Sequence, residues 1–202
     1  MCCRYYYEDV ERELRKLLRD EKITASLRLL SEKTADRDVF PSQPSLTIHS
    51  DGCGLTMSEM MWGISNPYSS GLIINARAET VREKRLFADS IAARRCVIPA
   101  SGFYEWDPYK ARFRFTPPDE KILLLAGFYR EEQGQARYTI LTTEANDSMI
   151  GVHDRMPVLI GRNEIRPWIK DDAVLSEFLT RKQTELLCEQ DSGQIRMNLE
   201  LL

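Results

Sequence analysis

The chain has 202 residues, 43% of them hydrophobic and 29% charged, with a formal net charge of −3. That length suits one domain, the apolar fraction can fill a core, and the composition excludes a disordered or fibrous chain. No stretch approaches the roughly 20 apolar residues of a membrane helix, and no basic segment followed by an apolar run opens the chain, which predicts a protein of the cytoplasm.

The first periodic segment is Glu8 to Lys22, where Val10, Leu14, Leu17 and Leu18 fall on one face of an amphipathic helix. Turn signals follow near Pro41 and Pro44. Alternation in Leu46-Thr47-Ile48-His49, the turn Asp51-Gly52-Cys53-Gly54 and the return from Leu55 predict a hairpin, with His49 on its surface phase. Gly71 to Asn75 reads as a short buried strand and Glu79 to Ala93 as a helix. Strands are expected over 95–106, 112–115, 122–130 and 137–143, a short helix near 146–151, a strand over 156–160, and helices near 163–170 and 172–190. The pattern predicts an α+β fold, a single domain over 1–202 with a mostly antiparallel, barrel-like β core and peripheral helices.

Charge is unevenly spread. Residues 75–115 hold nine Lys/Arg against five Asp/Glu, whereas 1–74 hold nine against eleven and 116–202 hold ten against fifteen. This basic stretch, with Arg77, Arg82, Lys84, Arg85, Arg94, Arg95, Lys110, Arg112 and Arg114, is either an ordinary solvated surface or a groove for an anionic partner. Trp62, Tyr68, Phe103, Tyr104 and Trp106 are interleaved with it. Cationic and stacking side chains together suit single-stranded nucleic acid, although such aromatics are more often core.

The five cysteines, at 2, 3, 53, 96 and 188, are odd in number and form no CxxC pair, so they read as free thiols in a reducing compartment. Two histidines and scattered carboxylates give no metal set, and no cofactor is expected. Cys2 is either an incidental thiol on a frayed end or, once Met1 is trimmed, an α-amine and a thiol on one carbon. An α-amine titrates near ~7.8 and a free thiol near ~8.5, so both are usable nucleophiles around neutrality. With an aldehyde, such a pair forms an imine and closes to a five-membered thiazolidine.

Three further residues carry possible chemistry. Asn75 is either a helix N-cap or an amide that positions a substrate oxygen or the amine. Glu105, in Phe103-Tyr104-Glu105-Trp106, faces either solvent or the interior, where desolvation would raise its pKa toward that of a useful general acid. His153, next to Asp154 and Arg155, is either a proton shuttle or a loop histidine bonded to backbone.

Seven ordered segments, "MCCRY", "WGI" (62–64), "INARAET" (74–80), "RRCVIPASGFYEW" (94–106), "LLAGFY" (124–129), "ILTTEAN" (140–146) and "HDRMPV" (153–158), resemble the SOS response-associated peptidase (SRAP) family. The resemblance implies a β-rich, barrel-like domain with a basic DNA groove. It implies a catalytic Cys2 exposed by loss of Met1, a step the family is proposed to perform on itself. It also implies covalent capture of the abasic-site aldehyde in single-stranded DNA as a stable thiazolidine, in the DNA damage response. Catalytic positions fall on Cys2, Asn75, Glu105 and His153. DNA contacts are expected from Arg4, Arg77 and Arg85, with Tyr68 as a stacking residue. The implied protein is a monomer, nucleoid-associated on damage, with no membrane partner. A cysteine-type peptidase acting on itself or other proteins, and a non-catalytic single-stranded DNA-binding module, are the alternatives. The chain departs from the family at Cys3, where glycine is usual, in "GISNPYSSGL" after Trp62, which lacks the tryptophans often seen there, and in its short "MNLELL" end.

Overall fold

The computed structural model describes residues 3–26, 30 and 36–191. The alternating segment after Pro44 forms the expected hairpin. Strand β4 (Pro44–Ser50) pairs antiparallel with β5 (Leu55–Trp62), with Ile48 opposite Met57 and Ser50 opposite Leu55. The turn is held by Asp51, whose carboxylate accepts from the Cys53 and Gly54 amides at 2.9 and 2.7 Å.

Three later strands complete a closed barrel. Strand β9 (Arg95–Ala100) pairs with β4 on one side and with β12 (Leu123–Glu132) on the other. Strand β13 (Gln135–Glu144) pairs antiparallel with β12 and closes the ring by parallel pairing with β5, Tyr138 lying opposite Trp62. Closure leaves these strands no open edge. Inside, Trp62 and Tyr138 are fully buried and stacked with ring centroids 6.3 Å apart. Their polar atoms are satisfied: Trp62 Nε1 donates to Ile74 O at 3.0 Å, and the Tyr138 and Tyr5 hydroxyls share a 2.6 Å hydrogen bond.

A second sheet leans on the barrel, ordered as β3 (Arg37–Val39), β1 (Tyr5–Tyr7), β10 (Gly102–Trp106), β11 (Arg112–Thr116) and β15 (Leu187–Gln190). The expected single strand over 95–106 is therefore two strands in two sheets. The break falls at Ser101, whose amide donates to Tyr6 O, whose hydroxyl donates to Glu8 O, and whose oxygen accepts from Glu8 N. Gly102 follows because a Cβ there would run into the Tyr6 hydroxyl and the Phe115 carbonyl.

Helix α1 (Glu11–Asp20) buries Leu14, Leu17 and Leu18 as its spacing predicts. Helix α2 (Arg85–Ala93) starts six residues later than expected: after Asn75–Arg77 pair with β13, the chain makes a 3-10 turn at Ala78–Thr80 and a further turn over 81–83 before the helix begins. Gly71 is exposed and residues 72–75 are half-buried rather than buried. Residues 146–151 form turns, not a helix. Helices α3 (Ile165–Lys170) and α4 (Leu175–Thr180) are short, and the residues expected to extend the last helix join β11 as β15. His49 is half-buried, its Nε2 2.8 Å from Ser58 Oγ. Among the described residues, no helix is long and apolar enough to cross a membrane.

Arg95, counted in the basic stretch, is structural. Only 3% exposed, it donates to the carbonyls of Ile91 and Ala92 at the end of α2 and of Trp168 and Ile169 in α3. It thus satisfies the C-terminal acceptors of two helices at once.

Candidate active site

The site is assembled at the end of β13. Strand β8 (Asn75–Arg77) pairs parallel with β13, Asn75 opposite Ile140 and Arg77 opposite Thr142. On the other side β14 (Arg155–Pro157) pairs antiparallel, Arg155 opposite Glu144. β13 therefore has "INARAET" on one side and "HDRMPV" on the other. Asn75 lies in a strand and is half-buried, so it is not a helix N-cap. Arg77 is exposed.

A clamp that the sequence reading missed joins the two segments. Arg155 makes a paired ion bridge to Glu79, with Nη1–Oε1 and Nη2–Oε2 both 2.8 Å, and donates to Thr142 O at 2.7 Å. Partial burial is the largest single influence on the Glu79 carboxyl and works to raise it, but the Arg155 hydrogen bonds and charge, with the Glu79 backbone and Thr143, together hold the group below its ordinary range. Each segment carries one charged half of this pair, yet nothing in a single chain marks residues 76 positions apart as partners.

Glu105 takes the inward phase of β10 and is 3% exposed, between half-exposed Tyr104 and Trp106. Burial pushes its carboxyl above the ordinary range, and the nearby His153 acts against that shift. Tyr104 N–H donates to Arg4 O at 2.9 Å, extending the β1–β10 pairing beyond Tyr5 opposite Phe103. Arg4 then stands opposite Tyr104 and Cys3 opposite Glu105, on the same face. The Cys3 thiol is accordingly pushed up, by burial first and by the Glu105 charge second. Cys2 lies outside the described residues.

His153 Nδ1 accepts the Arg155 amide at 3.0 Å, and Asp154 Oδ1 lies 3.0 Å from the same nitrogen. One nitrogen cannot serve both at once. With the neutral ring protonated at Nε2, Nδ1 accepts from Arg155; with both nitrogens protonated, Nδ1–H faces Asp154. His153 can therefore gain or lose a proton with a partner present in either state.

The structure thus brings Glu105 near both His153 and Cys3 and sets Asn75 and Arg77 on β8, across β13 from the strand that follows His153. The other three candidates stand apart. Arg4 is on the opposite face of β1, paired with Asp38 and stacked over the rings of Phe40 and Tyr104, each 5.0 Å away. Arg85 is exposed at the start of α2. Tyr68 is 89% exposed at the tip of the hairpin between β6 (Ile64–Ser65) and β7 (Leu72–Ile73). Glu132 anchors that hairpin through the Ser65 hydroxyl at 2.6 Å. Among the described residues, no group of three or more His, Cys, Asp or Glu is placed to hold a metal ion.

The family model described as SOS response associated peptidase (SRAP) matches residues 1–196. The chain belongs to the SRAP family. Two relatives of this SRAP chain from Bacillus subtilis are the abasic site processing proteins YoaM and YoqW. They are 34% and 36% identical over 156 residues, covering 70% of this chain and 69% and 70% of their own lengths. The crystal structure of a protein from Bordetella bronchiseptica shares the fold with a TM-score of 0.75 at 22% identity. That match covers 94% of this chain and 99% of the other.

Proposed function

We propose that the protein captures abasic sites in single-stranded DNA through a covalent thiazolidine on Cys2, after loss of Met1. The observation that carries this reading is the buried Glu105 carboxyl, set beside His153 and facing the strand that leads to the N-terminus. A carboxyl pushed upward stays protonated further toward neutrality, so it can give a proton to the deoxyribose ring oxygen or to the departing hydroxyl. The Bacillus relatives, named for abasic site processing, support the substrate class.

In this mechanism the free amine of Cys2 adds to the ring-opened aldehyde and gives a carbinolamine. Glu105 donates a proton to the hydroxyl, water leaves, and the imine forms. The Cys2 thiol then adds to the imine carbon, its proton passing to nitrogen, and the thiazolidine closes. Asn75 positions the amine or a sugar oxygen, and His153 moves a proton at the sugar hydroxyl. Arg4, Arg77 and Arg85 contact phosphates, and Tyr68 stacks on a base. Self-removal of Met1 would use the same acid–base pair, and the protein acts on DNA in the cytoplasm as a monomer.

The test is incubation with an oligonucleotide carrying one abasic site, followed by denaturing electrophoresis. Wild type should give an adduct that survives denaturation and salt, and intact mass should show Met1 absent. Cys2→Ala should give none. An equally durable adduct from that variant, or reversible binding alone from wild type, would overturn the reading.

Arg77→Ala should weaken the initial, non-covalent binding by a similar factor on every sequence. It should also reduce the slope of log K against log salt by about one phosphate contact's worth. Fluorescence anisotropy at several salt concentrations measures both effects.

A further inference from the structure

We propose that Glu132 is a positioning residue for DNA: its carboxylate holds Ser65 and so sets the angle of the β6–β7 arm at which Tyr68 meets a base of the single strand. This rests on the reading of single-stranded DNA as the partner and of Tyr68 as the residue that stacks on it.

The arm is too small to orient itself. Its strands share two residue pairs, Ile64 with Ile73 and Ser65 with Leu72, and an isolated two-stranded hairpin is at best marginally stable. Both ends of it are nevertheless ordered. At the root, the Gly63 amide donates to Tyr138 O at 2.8 Å, and Arg137 Nη1 donates to Gly63 O at 3.1 Å. At the tip, the Asn66 side-chain oxygen accepts from the Tyr68 amide at 3.0 Å, and the Asn66 amide donates to Gly71 O at 3.2 Å. Tyr68 is thus almost wholly exposed yet carried on a shaped tip.

Between root and tip the arm stands off the barrel. A cleft of about 420 Å³, lined by Pro67 of the arm, Leu86 of α2 and Gln133 and Gln135 of the β12–β13 turn, lies between them. Glu132 crosses it. Oε1 and Oε2 accept from the Ser65 amide at 3.1 and 3.2 Å, and Oε2 accepts from the Ser65 hydroxyl at 2.6 Å. Arg130 Nε lies 3.4 Å from Oε1 and Arg137 Nε 3.6 Å from Oε2. The two cations hold the carboxylate in place, and the carboxylate holds the arm. Arg137 reaches both Glu132 and the Gly63 carbonyl, so one side chain ties the root of the arm to its middle.

An acidic group beside a polyanion gives the proposal a distinctive sign. Charge alone predicts that removing Glu132 tightens DNA binding, because two arginines beside the arm lose their counter-charge. Positioning predicts the reverse, because a swinging arm must be ordered each time Tyr68 stacks.

The experiment measures binding of the full chain to a single-stranded oligonucleotide carrying a tetrahydrofuran abasic analogue, which has no aldehyde and so binds without crosslinking. Fluorescence anisotropy should show Glu132→Ala binding about tenfold more weakly than wild type, within the range that loss of one base–aromatic stack produces. Glu132→Gln keeps an oxygen that can accept from Ser65 and should recover most of that loss without restoring the charge. Tyr68→Ala should weaken binding at least as much as Glu132→Ala, and adding Glu132→Ala to it should cost no more than about twofold further, as expected of residues that act as one unit. On a true abasic site, Glu132→Ala should keep the wild-type crosslinking rate at saturating protein and fall behind at low concentration, a split that general unfolding does not give. Glu132→Ala binding as tightly as wild type or more tightly, Tyr68→Ala binding normally, or losses that add in the double variant would overturn the proposal. Coupled losses in a protein that never crosslinks would support the positioning role and sink the covalent reading. An adduct from a protein whose losses add would sink the positioning role alone.

Discussion

Glu105→Gln is expected to slow adduct formation by about 10²–10⁴-fold, the range that a positioned general acid contributes, while making the protein more stable at neutral pH. The two effects share one cause. Glu105 is 3% exposed, and burial raises its carboxyl above the ordinary range. The folded protein therefore holds this proton to higher pH than the unfolded chain does. Below the unfolded pKa both states are protonated and the site contributes its full stability. As pH rises through the folded value that contribution is lost, because the native state must then bury a carboxylate. Gln keeps the shape and has no charge to bury. Urea unfolding should therefore show the variant gaining on wild type between pH 4 and pH 8, by up to about 2 kcal/mol, the usual scale for relieving a strained functional site. A gap that does not change with pH would mean that Glu105 carries no such cost. A variant that crosslinks as fast as wild type would remove it from the mechanism.

The placement of Glu105 also shows what the sequence could and could not reveal. Period-2 alternation located the β4–β5 hairpin, but it ran β9 and β10 together as one strand and left the phase of "FYEW" undecided. Phase was settled by pairing with β1 and β11, a long-range contact that alternation does not encode. Helical periodicity placed α1 within three residues at each end because its apolar face packs on the core. The same kind of reasoning overran at Glu79 and again beyond Thr180. Residues 79–84 instead turn away directly after β8 has paired with β13, and residues 187–190 are drawn into pairing with β11 as β15. Tertiary contact overrode local propensity there. Motif spacing picked out Asn75, Glu105 and His153. The Glu79–Arg155 clamp stayed hidden because charged residues in two motifs look like surface until the fold sets them 2.8 Å apart. Charge counting erred the other way, since the basic stretch included Arg95, which is buried between α2 and α3.

Arg95→Met should be the most destabilising single change considered, at about 3–5 kcal/mol. Met matches much of the aliphatic stem, so the loss falls on the guanidinium. Four carbonyls, Ile91, Ala92, Trp168 and Ile169, would lose their donor in a buried setting, and an unsatisfied buried acceptor costs about 1–3 kcal/mol. The total stays below the sum because neighbours relax and water reaches the rim, where the ion pair to the exposed Asp172 contributes little. Arg95→Lys should recover only part of the loss, since one ammonium cannot reach acceptors on both helices. Binding gives the decisive contrast. At a temperature where the variant remains folded, its salt slope on single-stranded DNA should equal that of wild type, whereas Arg77→Ala reduces that slope without shifting the unfolding midpoint. If Arg95→Met lowered the slope and left stability intact, Arg95 would be a phosphate contact and its placement between α2 and α3 would be wrong.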